Sequence, residues 1–221
     1  MAERVLFYFD PICPWCYQTS RWAHRLEERG VIELEWGVFS LELQNAGKEP
    51  EELAAAHARS ARALRTAIAV RDSAGHPAAG AFYKAIGERV HERGEPLEDP
   101  ATVEAALADA GLDPSLCEKA WADESTAERV ASEHRELCER TRSFGVPTIV
   151  LDGGDGPAIF GPVITDVPDD DDAEELWRHV SWLIRHDSFA ELKRDRLSSP
   201  DLESVRRRQR EKDEAEASDR T

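Results

Sequence analysis

Two thiols stand three positions apart near the start of the chain, in Cys13-Pro14-Trp15-Cys16. Cysteines at this spacing can close a small disulfide ring and reopen it, because a thiolate attacks one sulfur of a disulfide and displaces the other. The alternatives are half of a zinc site or two structural cysteines. A zinc site needs two further ligands, and the other cysteines, Cys117 and Cys138, lie far along the chain. The spacing therefore favours redox chemistry.

The elements around the motif must position these thiols. Residues 5–9 have a strand pattern, and Trp22 and Leu26 continue the apolar stripe of a helix that follows. Cys13 then begins a helix, where free N–H groups and the helix dipole favour a thiolate. We therefore expect Cys13 to be the nucleophile and the less exposed Cys16 to be the resolving thiol. A C-x-x-C beside a strand–helix unit is typical of thioredoxin-like redox motifs.

Composition excludes several classes of protein. The net charge of the 221 residues is −17, from 45 acidic and 28 basic residues, and a nucleic-acid partner would require a basic surface. No apolar run is long enough to span a bilayer, and the start lacks the pattern of a secretory signal. We therefore expect a soluble, cytoplasmic protein without a membrane partner. No motif indicates a metal site or a tightly bound cofactor.

The chain divides into parts by its hydrophobic pattern. Residues 1–48 and 144–197 carry strand and helix signals and are predicted to form one discontinuous domain. Residues 49–143 have almost no strand signal and predict an inserted domain of four to six helices. Residues 198–221 are mostly charged, and such a segment buries too little apolar surface to offset the entropy of ordering. We therefore expect a disordered tail; the alternative is a helix from Leu202 onward that docks on the insertion or on a second subunit, since residues 206–216 contain good helix formers.

The order β-α-β, helical insertion, β-β-α completes an α/β thioredoxin fold with a helical domain between its second and third strands. Together with Gly145-Val146-Pro147-Thr148, the Cys-Pro-Trp-Cys motif resembles the DsbA-like branch of thioredoxin-fold oxidoreductases. Longer stretches, at residues 9–16, 19–22, 160–163 and 189–194, resemble the actinobacterial mycothiol-dependent nitroreductase and mycoredoxin-like family. This resemblance extends from about residue 5 to residue 196.

The resemblance implies a substrate site around the dithiol. It implies a cis peptide bond between Val146 and Pro147, with the backbone of Val146 offered to an extended substrate as an added strand would be. The alternative is an ordinary loop proline. Pro14 fits the first turn of the helix, and Trp15 is expected to form an exposed wall for substrate or, alternatively, to be a core aromatic.

Two polar residues are further candidates. Asp10 could accept the proton of Cys16 through water, or it could be a turn and cap residue. Asn45 belongs to a segment similar to the family's loop near the active site. It could line the pocket, or it could be a turn residue beside Gly47.

Three other residues have weaker signals. Cys117 and Cys138 are most simply small buried hydrophobic residues, and a disulfide between them cannot be judged from spacing. His91 near a helix C-terminus is either a charged stabilising group or a site residue.

These observations predict a cytosolic thiol–disulfide oxidoreductase that acts as a reductase. The resemblance implies mycothiol as the low-molecular-weight thiol that regenerates the dithiol, and disulfides or electrophiles such as nitro compounds as substrates. One alternative is an enzyme like the kappa-type glutathione transferases and 2-hydroxychromene-2-carboxylate isomerases, which typically carry serine at the position of Cys13. The other is a redox-inert, DsbA-like, peptide-binding chaperone. The oligomeric state stays open.

Overall fold

The computed structural model describes residues 2–218, and these contain a four-stranded sheet in the order β2-β1-β3-β4. The strands are β1 (Glu3–Phe9), β2 (Ile32–Val38), β3 (Thr148–Leu151) and β4 (Ala158–Phe160). β1 pairs with β2 in parallel and with β3 antiparallel, and β4 is antiparallel to β3. A parallel pair needs a crossover connection, which α1 (Pro14–Glu28) supplies.

Helices fill the chain between β2 and β3. They are α2 (Leu41–Asn45), α3 (Glu51–Ala58), α4 (Ala61–Gly87), α5 (Pro100–Asp109), α6 (Leu116–Ala122) and α7 (Glu124–Thr141), with a short π-helical turn (Glu88–Glu92) after α4. α8 (Asp170–Ile184) follows β4, and α9 (Glu203–Ser218) ends the described chain. The predicted fold class is therefore confirmed, whereas the domain boundaries at residues 48, 143 and 197 stay predictions.

The outer edge of β2 is closed by side chains instead of by another strand. Its backbone N–H groups donate to the helices: Leu34 to Glu27 (3.1 Å), Trp36 to His76 (2.8 Å) and Val38 to Glu133 (2.8 Å). His76 reaches the strand where α4 is interrupted by Gly75, whose φ of 81° lies in the region that favours glycine. An edge closed in this way cannot pair with a second chain.

Aromatic side chains fill the core beneath the dithiol. The ring of Phe9 stacks on that of Tyr83 with centroids 3.9 Å apart, and Phe7 contacts Trp36 at 5.3 Å. Full burial of each such side chain stabilises the fold by about 1.5–3 kcal/mol. Gly80 is required here, because a Cβ atom at that position would lie 2.4 Å from the indole nitrogen of Trp36.

Within the predicted disordered tail, residues Glu203–Ser218 form the helix α9, and residues 219–221 lie outside the described residues. Leu202, just before the helix, is 3% exposed, and the guanidinium of Arg207 donates to the carbonyl of Gly94 at 2.8 Å. Ion pairs one helical turn apart, such as Arg206 with Glu203 at 3.2 Å, support the helix. The structure thus agrees with the alternative considered from the sequence, a docked helix from Leu202 onward.

Candidate active site

Cys13 is the N-cap of α1, and its thiol lies between that helix and the loop before β3. The backbone N–H of Cys16 donates to Cys13 Sγ at 3.4 Å, and Cys13 Sγ is 3.9 Å from the carbonyl oxygen of Val146. Pro14 occupies the first turn, where its missing N–H costs nothing. The thiol thus lies at the helix N-terminus that the sequence predicted, and it is partly exposed.

Cys16 lies one turn further and is fully buried. Its Sγ is 3.8 Å from the carbonyl oxygen of Tyr8 in β1. The predicted difference in exposure between Cys13 and Cys16 is therefore confirmed. Their roles as attacking and resolving thiols stay predictions.

The protonation of the thiols differs from the sequence expectation. Burial raises the pKa of the Cys13 thiol above its ordinary value, and the N–H groups of Cys16 and Trp15 and the charge of Arg196 only partly offset that rise. Burial also raises the pKa of Cys16, and the nearby Cys13 raises it further. The N–H groups at the helix N-terminus thus lower the pKa of Cys13 as expected, but burial outweighs them and the net direction is upward.

Asp10 is a fully buried carboxylate at the base of the dithiol loop. It accepts hydrogen bonds from the backbone N–H groups of Ile12 (3.1 Å) and Leu41 (2.8 Å), so it closes the turn before Cys13 and holds the start of α2. Burial raises the pKa of Asp10 to about 6, against the effect of these hydrogen bonds. The turn and cap role is therefore present in the structure, and the proton relay to Cys16 stays a prediction.

The peptide bond between Val146 and Pro147 is cis, as the resemblance implied. Both residues are buried, and the carbonyl of Pro147 accepts a hydrogen bond from Gly161 at 2.8 Å. Within residues 2–218 no acceptor is bonded to the N–H of Val146. The backbone of Val146 beside Cys13 thus keeps a donor free, while its role in substrate binding stays a prediction.

Two of the stretches that carried the resemblance meet in space. The hydroxyl of Thr19 in α1 donates to the carbonyl of Pro162 at 2.9 Å, and the amide of Gln18 donates to that of Thr165 at 2.8 Å. The Gly161–Pro162 bond is also cis, which the sequence analysis did not predict. The loop after β4 is therefore fixed to the helix that carries Cys16.

Trp15 is partly exposed, so it is not a core aromatic. The guanidinium carbon of Arg196 lies 4.4 Å from the centroid of the Trp15 ring. Sequence reasoning missed Arg196, because no periodic pattern places a residue of an irregular segment against a motif almost two hundred positions earlier.

Asn45 is not brought to the dithiol by any observed contact. Its side-chain amide donates to the carbonyl of Leu41 at 2.9 Å, within its own helix α2. The first residue of that helix, Leu41, donates its backbone N–H to Asp10 at 2.8 Å, so Asn45 lies one turn beyond this contact. Its place in the pocket stays a prediction.

His91 is a buried bridge between the dithiol loop and the C-terminal helix. Its Nε2 is 2.9 Å from the carbonyl oxygen of Pro11, and its Nδ1 is 2.9 Å from the hydroxyl of Ser204. The carbonyl can only accept, so Nε2 carries the proton and Nδ1 accepts from Ser204. Burial lowers the pKa of His91 to about 4, which excludes the charged role considered from the sequence.

Tyr83 is a second residue that the sequence analysis missed. Its hydroxyl is buried and has no partner with normal hydrogen-bond geometry among the described residues. The Tyr83 hydroxyl lies beside Cys16 and lowers the pKa of that thiol, although burial keeps the net direction upward. A buried polar group without a partner often marks a redox or catalytic site.

The remaining cysteines lie in separate surroundings. All four cysteines are free thiols. Cys117 is fully buried and Cys138 partly so, with the Cys138 sulfur 3.8 Å from Nε2 of His134. Cys117 forms a group with Glu104 and Glu118 whose ligand atoms lie within 4.8 Å of one another. The guanidinium of Arg62 donates to Glu118 at 2.7 Å, so an arginine side chain already neutralises charge in that group.

A model of the Rv2466c-like family, described as mycothiol-dependent nitroreductase Rv2466c, matches residues 12–194 of this chain. The chain therefore belongs to this family of oxidoreductases. A protein of Mycobacterium tuberculosis (strain ATCC 25618 / H37Rv), described as uncharacterized protein Rv2286c, is 32% identical over 209 residues, which cover 91% of this chain and 85% of that protein.

Solved structures share the fold at low sequence identity. The cytosolic disulfide reductase DsbM from Pseudomonas aeruginosa, solved with GSH, has a TM-score of 0.58 and 16% identity, covering 81% of this chain and 99% of that one. A 2-hydroxychromene-2-carboxylate isomerase has a TM-score of 0.56 and 19% identity, covering 84% and 98%. Among residues 2–218, no helix is both long and apolar enough to cross a membrane.

Proposed function

We propose that this protein is a cytoplasmic thiol–disulfide oxidoreductase that works in the reducing direction. The thiolate of Cys13 attacks a disulfide, forming a mixed disulfide and releasing one thiol. The thiolate of Cys16 then attacks the Cys13 sulfur, which releases the second thiol and leaves an intramolecular disulfide. Two molecules of a low-molecular-weight thiol, mycothiol by the family's description, reduce that disulfide and become oxidised to their own disulfide.

The burial of the two thiols supports a reducing rather than an oxidising role. A disulfide is a strong oxidant when the reduced, dithiol form is stabilised, and a thiol of low pKa stabilises that form as a thiolate. Here burial raises the pKa of both Cys13 and Cys16, so the reduced form lacks that stabilisation. We expect a reduction potential near the roughly −270 mV of thioredoxin and far from the roughly −120 mV of an oxidant such as DsbA.

The residues around Cys13 receive roles in the same proposal. Pro14 and Trp15 form one wall, and the free N–H of Val146 before Pro147 donates to a carbonyl oxygen of the substrate. Asp10 accepts the proton of Cys16 through water, because a carboxyl whose pKa burial raises to about 6 can exchange protons near neutral pH.

The family's description adds nitro compounds as a second class of electrophile. Oxidation of the dithiol to a disulfide supplies two electrons and two protons, which convert a nitro group into a nitroso group with release of water. The low-molecular-weight thiol then restores the dithiol. The proposal therefore needs no other reductant for this step.

The shared fold does not separate a reductase from an isomerase, since structures of both kinds resemble this chain. The presence of a second thiol, Cys16, favours the reductase over the isomerase. An isomerase that uses a bound thiol has no need of Cys16, which is here buried one turn from Cys13 and in contact with the carbonyl of Tyr8.

Intact-mass measurement tests the proposal with three single variants exposed to an oxidised low-molecular-weight thiol. Cys16→Ser should accumulate a mixed disulfide, because attack by Cys13 survives and resolution does not. Cys13→Ser should give no adduct at the motif, and Cys138→Ser should behave as the wild type, which closes the intramolecular disulfide. An adduct at the motif on Cys13→Ser and none on Cys16→Ser would reverse the roles, and no thiol exchange in the wild type would refute the function.

A further inference from the structure

The chain between α8 and α9 crosses the exposed side of the dithiol. It is held at its start by the hydrogen bond from the N–H of Phe189 to the carbonyl of His186 (2.8 Å), and at its end by the buried residues Pro200 and Leu202. Residues 190–199 between these points are all exposed. Within that exposed stretch the observed side-chain contact is the one between Arg196 and the ring of Trp15.

Arg196 has no anionic partner in the described part of the chain. No carboxylate of residues 2–218 lies within 4.0 Å of its guanidinium, although Glu191 and Asp195 belong to the same segment. Arg62 and Arg89 are paired, with Glu118 at 2.7 Å and with Glu95 at 2.9 Å, whereas Arg194 of the same segment also lacks an ion pair among the described residues. The contact with the Trp15 ring distinguishes Arg196 from Arg194. In a protein with 45 acidic residues and a net charge of −17, an arginine kept free of carboxylates beside the dithiol calls for an explanation.

The position of the guanidinium suits it to bind an anion. A guanidinium held against an aromatic face keeps N–H donors in its own plane, where they can bind a carboxylate through two parallel hydrogen bonds. Burial raises the pKa of the Cys13 thiol and the charge of Arg196 partly opposes that rise, so the guanidinium is within electrostatic reach of the reacting sulfur.

We propose that Arg196 is a specificity-determining residue that binds a carboxylate on the disulfide or electrophile attacked by Cys13. This inference rests on the proposed function, because it assigns the substrate class of the same dithiol. The excess of acidic residues repels anions from most of the surface. An unpaired arginine on Trp15 creates the local exception, and it holds the substrate's carboxylate while the sulfur or nitro group faces Cys13.

The test compares two disulfide probes that differ in charge. Dithiobis(nitrobenzoate) carries a carboxylate on each half, whereas dithiodipyridine is neutral at mildly alkaline pH. Stopped-flow rates are measured for reduced wild type, Arg196→Gln and Arg196→Lys, taking the phase that is absent from Cys13→Ser. The matched control is Lys193→Gln, which removes one positive charge from the same segment and has no observed contact with Trp15.

We expect Arg196→Gln to slow the reaction with the anionic probe by about tenfold, the effect of losing one charge-assisted hydrogen bond. The neutral probe should change by less than about twofold, Lys193→Gln should behave as the wild type, and Arg196→Lys should be intermediate with the anionic probe because it keeps the charge but loses the planar pair. An equal slowing with both probes would mean that Arg196 acts on the Cys13 thiolate, and would overturn the inference. Equal slowing by Lys193→Gln, or no slowing at all, would overturn it as well. A wild type that reacts with neither probe would instead refute the proposed function.

Discussion

The dithiol loop and the C-terminal segment meet at Trp15, but they are held in different ways. Residues 10–16 contact α2 through Asp10 and β1 through Cys16. They are also linked to α9 by His91, which bonds to the carbonyl of Pro11 and to Ser204. Residues 190–199 are exposed and are anchored mainly at their ends. Fixed geometry suits the loop where we propose that the reaction occurs, whereas an exposed segment anchored at its ends suits the substrate recognition that we propose for Arg196. The two regions that meet at Trp15 therefore differ in rigidity, one fixed along its length and the other only at its ends.

Removing residues 199–221 should cause the largest loss of stability, because it removes the anchored end of the C-terminal segment. It exposes the surface that Leu202 covers, worth about 2 kcal/mol. It also removes the hydrogen bond between Nδ1 of His91 and the hydroxyl of Ser204 (2.9 Å), worth about 1 kcal/mol. We expect a fall of about 10 °C in Tm and slower thiol exchange, measured by thermal melts and by the stopped-flow assay. An unchanged Tm would show that α9 is not anchored.

Asp10→Asn should change how the free energy of unfolding depends on pH. The size of this change should be no larger than the loss of stability expected on removing residues 199–221. Burial raises the folded pKa of Asp10 from 3.8 to about 6, so the folded state binds the proton more tightly and its stability falls as pH rises through that window. The wild type should lose about 3 kcal/mol relative to the variant between about pH 4 and pH 7. Urea unfolding of both proteins at the two pH values measures this difference. Parallel profiles would contradict the buried, hydrogen-bonded carboxylate.

Leu202→Ala and Leu197→Ala compare an anchored residue with an exposed one in the same segment. Leu202 is 3% exposed and Leu197 is 86% exposed. Urea unfolding should show a loss of about 2 kcal/mol for Leu202→Ala and less than about 0.5 kcal/mol for Leu197→Ala. Equal losses would remove the distinction between the anchored end and the exposed crossing.

Tyr83→Phe should give the smallest change in stability, because the hydroxyl that it removes has no partner of normal geometry. We expect a change within about 1 kcal/mol in the free energy of unfolding. Resolution of the mixed disulfide by Cys16 should slow, since the hydroxyl lowers the pKa of that thiol. Single-turnover release of the second thiol measures this step, and the attack by Cys13 in the same experiment is the internal control. A variant with unchanged release would assign Tyr83 to the core alone.

The sequence was sufficient for features that depend on local pattern. The spacing of Cys13 and Cys16 between a strand and a helix predicted their placement, because helix capping and side-chain periodicity act over a few residues. The resemblance at residues 145–148 implied the cis bond before Pro147, which composition could not have shown. The composition after residue 198 favoured a disordered tail over a docked helix, and the structure shows the helix over Glu203–Ser218, because one buried leucine can anchor a segment that composition describes as charged.

Only the tertiary structure decided the features that depend on distant contacts. Burial of the dithiol reversed the expected direction of the Cys13 pKa, because desolvation depends on every element packed around the sulfur and not on the helix alone. His91, Tyr83 and Arg196 acquired their positions in the same way, from parts of the chain far from the motif. Local sequence determined where the reactive sulfurs stand in their helix. Long-range packing decided how they are protonated and what stands over them.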